Sequence, residues 1–257
     1  MKKRAFTLAE VLVTLGIVGV IAAITIPSLA MRCQKYVLKK QFKKKYLVLQ
    51  QALDIVANDF DYPPNCYYWG TSPYGPATCA ERDETGDCKK YALANGDKLP
   101  SDYTGRFSDC NLVKEKMKEV LKVTTICKNN ALANGCIPPY KGNDTILKDN
   151  NPDKEYTDRD LIEQTSGCGG WRENAIRNNR EAWVLLDGTI ILFYSGFQLF
   201  AIDVNGGKGP NRWGYDLLPL ETYGDGSSRS TLDGSGCGTI ERGGMSSRTL
   251  VRDLIKL

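Results

Sequence analysis

Asp203, Asn205, Asn211 and Asp216 fall within fourteen residues, in the stretch DVNGGKGPNRWGYD. A hard cation such as Ca2+ takes about six to eight oxygens from carboxylates, amides and backbone carbonyls. Two carboxylates and two amides on a glycine-rich loop free to wrap supply the right kinds of atom. The loop lacks the glutamate that an EF-hand pattern requires. The same residues also suit a turn in which Asp and Asn side chains cap their own backbone. Lys208, in GGKGPN, does not make a phosphate loop, because the Gly-x-x-x-x-Gly-Lys-Ser/Thr order is missing.

Other chemistry is thinly represented. The 257 residues include no histidine, which removes the commonest general base and a frequent metal ligand. No nucleophile–base pair and no motif organising the carboxylates stands out, so the expectation is a protein that is not an enzyme. The nine cysteines contain no Cys-x-x-Cys spacing, which argues against zinc ribbons and thioredoxin-like redox sites. Eight of them follow Cys33, and an even set in a loop-rich region predicts four disulfides and an oxidising compartment. Cys33 is the odd one, expected as a free thiol. Residues 1–60 hold ten Lys or Arg against three acids, and the remainder holds 24 against 27. A mildly acidic head is a poor match for phosphate backbones, so no nucleic-acid partner is expected.

Glu10 is a further residue of special interest. It stands at the start of FTLAEVLVTLGIVGVIAAITIPSL, and Val11 to Met31 carry no charge. Twenty-one residues make a helix of roughly 32 Å, enough to cross a bilayer core. A carboxylate there costs several kcal/mol unless it snorkels, is protonated or finds a cation, by about the same logic that makes intramembrane charges functional. A secretory signal peptide is the competing reading, with MKKR as its basic region and Ser28-Leu29-Ala30 before a cut that leaves Met31 first. The uncharged run exceeds an ordinary signal core of about 7–15 residues, and Glu10 fits that reading badly.

RAFTLAEVLVTLGIVGVIAAITIPSL resembles the prepilin N-terminus of type IV pilins and type II secretion pseudopilins. The resemblance covers Lys2 to about Leu29. It implies a leader, residues 1–5, cut by a prepilin peptidase between Ala5 and Phe6, with methylation of the new Phe6 amine. This sequence has Ala5 where the family usually carries Gly. Glu10 then takes the family's fifth mature position, whose implied role is to pair with the N-terminal amine of a neighbouring subunit. Pro27 takes the place where the family's helix bends or melts on assembly; Gly16 and Gly19 add further weak points. The implied location is the inner membrane, single-pass, with the head in the periplasm and the filament there or at the cell surface. The positive-inside rule alone points the other way, since Arg32, Lys35, Lys39, Lys40, Lys43, Lys44 and Lys45 outnumber the three leader cations. The cysteine set and the cleavage motif favour export. The implied partners are the peptidase, other pilin or pseudopilin subunits, and inner-membrane lipid. The rival expectation is an exported, disulfide-rich soluble binding protein with a cleaved signal peptide.

The elements that must hold these residues follow from periodicity. Leu38, Phe42, Tyr46, Leu49, Leu53, Val56 and Phe60 recur at spacings of three and four, the apolar face of an amphipathic helix. Residues 6–31 therefore read as a transmembrane helix, to which the resemblance adds an assembly role, 32–60 as its amphipathic continuation, and 61–257 as a globular head. Cys110 to Val123 reads as a second helix. Cys127 to Cys136 encloses KNNALANG, a loop stapled at its base. EAWVLL and TIILFY flank Asp187-Gly188, which predicts a type I′ hairpin, and FQLFAIDV adds a third strand. SSRTLVRDLIKL predicts a short C-terminal helix, with Cys237 tying down the glycine-rich stretch before it. The expected fold is α+β and pilin-like: a long N-terminal helix, membrane-spanning in its first half, packed on an antiparallel meander with disulfide-pinned loops.

Overall fold

The computed structural model describes residues 7–59, 77–82, 84, 88–93, 96–100, 106–194, 196–224 and 230–255. The chain divides into two compact units, Met1–Lys40 and Gln41–Leu257. Helix α1, Leu8–Asn58, contributes to both. In the first unit the apolar side chains of the uncharged stretch lie open: Leu12, Ile17, Val20 and Ile24 are exposed by 56–71%. The helix passes Pro27 without interruption. Just before it, Thr25 Oγ1 donates to the Ile21 carbonyl at 2.8 Å.

The second unit explains the amphipathic spacing. Phe42, Tyr46, Leu49, Leu53 and Val56 are all buried, because positions three and four apart share one helix face. Polar groups beside that face pin it. Tyr46 donates its hydroxyl proton to the Leu232 carbonyl at 2.8 Å. Gln50 Oε1 accepts from the Leu232 amide at 2.9 Å. Lys45 forms an ion pair with Asp187.

A small antiparallel hairpin, β1 Ala77–Arg82 and β2 Cys88–Leu93, precedes α2, Arg106–Leu121. The sequence reading carried that helix to Val123. The chain instead leaves it at Lys122, which takes a left-handed φ of 53°, and Val123 opens β3, Val123–Cys127. Two short helices unmarked by strong periodicity follow, α3 Asn143–Asn150 and α4 Asp158–Gln164. Helix α4 starts with a reciprocal capping box between Thr157 and Asp160.

The main sheet is an antiparallel meander in strict chain order, β3-β4-β5-β6-β7-β8. Its later strands are β4 Ala182–Leu185, β5 Ile190–Phe193, β6 Leu199–Asp203, β7 Leu217–Gly224 and β8 Ser230–Gly234. The three strands read from the sequence are its centre. The hairpin at Asp187-Gly188 is present, with a different turn. Only Gly188 has a positive φ, whereas a type I′ turn needs two such residues. Gly188 N bonds to Leu185 O, and Leu185 N bonds to Thr189 O, closing a three-residue loop. Helix α5, Ser247–Ile255, is the expected C-terminal helix; it buries Leu250 and Val251 and leaves Ile255 exposed.

Both faces of the sheet are covered. Successive side chains alternate across a strand, so Ile190, Leu192, Leu199 and Ala201 share one face. They join Tyr140, Ile146, Trp171, Ile176 and Trp213 in one buried cluster. Ile191, Phe193, Phe200 and Ile202 are buried on the other. Two-sided burial is why these strands read as continuous apolar runs. Cys127–Cys136 and Cys168–Cys237 are disulfides, and Cys33 is an exposed free thiol. Cys66 and the side chains of Cys79, Cys88 and Cys110 lie outside the described residues. The whole is the α+β, helix-on-meander arrangement expected from the sequence.

Candidate functional site

Two sites carry the residues singled out above. At the N-terminus, Glu10 lies in the first turn of α1. Its Oε2 accepts from both the Thr7 amide and the Thr7 hydroxyl, each at 2.8 Å. Glu10 N in turn donates to Thr7 Oγ1 at 3.2 Å. This is a capping box, which satisfies amides that would otherwise lack partners at a helix start. Oε1 is left without a hydrogen-bond partner among the described residues. Thr7 was not picked out from the sequence, although its Thr-x-x-Glu spacing is the signal for this motif. Ala5 and Phe6 lie outside the described residues. Pro27 lies about 26 Å along the helix from Glu10, at 1.5 Å per residue, and has no direct part in this arrangement.

The second site is the loop joining β6 to β7. Period-two geometry puts Asp203 on the same face as Leu199 and Ala201, inside the head core, and both Asp203 and Asp216 are completely buried. Asp203 Oδ2 accepts from the Tyr140 hydroxyl at 2.7 Å, and Oδ1 accepts from the Asn205 amide at 3.1 Å. Asp216 Oδ2 accepts from Asn211 N at 2.7 Å, and Oδ1 from Arg212 N at 2.8 Å. Val204 N donates to the Asp216 carbonyl, drawing the loop ends together. Gly206 has a φ of 64°, and a Cβ there would collide with the Gly188 carbonyl. Glycine thus lets this loop lie against the β4–β5 turn.

The electrostatics are unfavourable as they stand. Burial, reinforced by the neighbouring Asp216 carboxylate, pushes Asp203 up to about 7. Burial also raises Asp216, against the backbone amides that hold it down. Tyr140 is raised well above its ordinary range by burial and by Asp203. Two amide oxygens in the loop, Asn205 Oδ1 and Asn211 Oδ1, are buried without a hydrogen-bond partner. Asn205 uses its other side-chain atom on the Gly209 carbonyl, at 2.8 Å. A cation would relieve both defects, since it draws carboxylates toward the ionised form and uses amide oxygens as ligands. The atom types are those a hard cation takes, with all four carboxylate oxygens already accepting hydrogen bonds from Tyr140 and loop amides. Among the described residues no three His, Cys, Asp or Glu side chains gather as a metal cluster, so the carboxylate share is limited to two. Tyr140 had no signal in the sequence: it stands 63 residues before Asp203.

With this geometry in place, comparison with known proteins bears on the N-terminus alone. Residues 1–26 match the family model of the prokaryotic N-terminal methylation motif. That motif is the prepilin signal of type IV pilins and pseudopilins, and here it heads a pilin-like α+β fold. No curated protein and no solved structure matches the chain.

Proposed function

We propose that this chain is a structural subunit of a type II secretion pseudopilus or a type IV pilus. The leader is removed between Ala5 and Phe6 by a prepilin peptidase, Phe6 is methylated, and subunits polymerise through α1. The head lies in the periplasm and the span in the inner membrane. The observation that carries the reading is the methylation motif over residues 1–26. It sits on a helix whose most apolar 18-residue window is 0% buried. Such a surface is stable only in lipid or against other helices.

Glu10 gives the assembly step its physics. In the lone subunit its carboxylate closes the capping box through one oxygen. A neighbour's N-terminal amine supplies the cation that makes the charge tolerable in low dielectric. In a host with the matching peptidase, Glu10→Ala leaves the chain cut and membrane-inserted but outside filaments. Incorporation at the wild-type level contradicts the role.

For the head, the second proposal is that Asp203, Asn205, Asn211 and Asp216 hold Ca2+. The two orphaned amide oxygens beside two buried aspartates support it. With two charged ligands the affinity falls in the weak range of extracellular modules, about 0.1–1 mM. The cation would tie the loop between β6 and β7 to the core.

A further inference from the structure

Arg32, Lys35, Tyr36, Lys39 and Lys40 occupy helix positions i, i+3, i+4, i+7 and i+8. That spacing gathers them on one face of α1. They begin one residue after the uncharged stretch ends at Met31. The intervening positions, Cys33, Gln34, Val37 and Leu38, carry no charge, and no acid occurs between Glu10 and Asp54. Tyr36 is 63% exposed. The Lys40 ammonium lies 5.4 Å from its ring centre. Arg32 and Lys40 are exposed as well.

We infer that this face is a binding surface for anionic phospholipid headgroups, at the C-terminal end of the membrane span. The inference rests on the reading that the apolar half of α1 crosses a bilayer. Depth is the first argument. Arg32 to Tyr36 lie within about 8 Å of Met31 along the helix axis. One headgroup layer is about 5–8 Å thick. Lys39 and Lys40 start about a turn further out, and long cationic stems reach along a surface to place their heads. Side-chain chemistry is the second. Tyrosine belongs at the membrane interface, with an apolar ring and a polar tip. Clustered Lys and Arg beside a span attract anionic headgroups. Charge asymmetry is the third. Residues 11–53 contain basic side chains and no acidic ones, so this stretch of sequence is complementary in charge to anionic headgroups.

The test uses the full chain reconstituted into phosphatidylcholine vesicles, with trace spin-labelled phosphatidylglycerol or phosphatidylcholine. Flotation of the wild type with zwitterionic vesicles reports on the membrane reading by itself. The spectrum then gives the fraction of each labelled lipid immobilised at the protein. The wild type should favour phosphatidylglycerol by about 3-fold or more at physiological salt, and lose that preference near 1 M salt, where screening acts over about 3 Å. R32Q/K35Q/K39Q/K40Q should bind both lipids equally, while K35R/K39R/K40R keeps the wild-type ratio. Equal immobilisation of both lipids by the wild type overturns the inference. So does an unchanged preference in the quadruple variant, which would assign it to Lys2, Lys3 and Arg4. A quadruple variant that keeps its lipid preference but no longer co-purifies with other subunits would assign the face to a protein partner, again overturning it.

Discussion

Tyr140 and Asp203, 63 residues apart in the chain, meet in the head core through a hydrogen bond of 2.7 Å. The bond joins the layer that covers one sheet face to the last residue of β6. It also holds a carboxylate that burial and Asp216 press toward protonation. The head therefore carries two buried carboxylates at the base of the loop between β6 and β7, where a bound cation would offset their charge.

Calcium should raise the melting temperature of the full chain in detergent. At a hundredfold excess over Kd the gain is about 2.7 kcal/mol, or about 5–10 °C for a domain of this size. EDTA should reverse it. Asp203→Asn and Asp216→Asn should each abolish the response. A magnesium response of equal size would show that the loop does not select by cavity size and ligand number. Calorimetric titration gives the affinity directly.

Without the cation, stability should fall as pH rises. The unfolded chain gives up the Asp203 proton in the ordinary carboxylate range, near about 4. The folded chain keeps it until about 7. Between these values the folded state binds more protons, so stability declines through the window from about pH 4 to 7. The raised Asp216 acts in the same direction. Urea unfolding in EDTA at pH 4.5, 6 and 8 measures the slope, and Asp203→Asn should remove much of it. Saturating calcium should flatten or invert it. Tyr140→Phe takes a donor from the charged form, so its cost should be larger at pH 8 than at pH 4.5, about 1–3 kcal/mol at the upper end.

The Cys127–Cys136 bridge closes a short loop, with a sequence separation of nine. Replacing both cysteines by serine should cost about 2–3 kcal/mol by loop-closure entropy. The lower urea midpoint should come with an unchanged slope. No loss would mean that the Ala131 and Ile137 packing already fixes the loop.

Leu49, almost fully buried on α1, should be worth about 2–5 kcal/mol on truncation to alanine. Val48, the next residue, is exposed, and Val48→Ala should stay within about 0.5 kcal/mol. Equal costs would mean that the helix does not dock through the Phe42–Leu49–Val56 face.

Features with a local signature were readable in the sequence. The apolar span, the three- and four-residue spacing from Phe42 to Val56, the strands around Gly188 and the loop stapled at Cys127 all depend on near neighbours. Strand β3 was hidden because Val123 continues the apolar pattern of α2, and only the left-handed Lys122 separates them. Helices α3 and α4 are short and owe their place to packing: Ile146 and Leu161 are buried. Strand β7 mixes the buried polar residues Glu221 and Thr222 into its pattern, so its alternation is blurred. In the candidate cation loop, the four oxygen-bearing residues could be named from spacing. The burial of Asp203 could not, because the layer over it is carried by residues such as Tyr140, far away in the sequence. Thr7 is legible through the Thr-x-x-Glu spacing, the local signature of a capping box.

The most direct measurement is the N-terminal sequence and intact mass of the protein, isolated from membranes of a host with the matching peptidase. The account predicts a chain that begins at N-methylated Phe6 and retains the whole of α1. A chain that begins at Met31 would mean the apolar helix is discarded, and would contradict assembly through it.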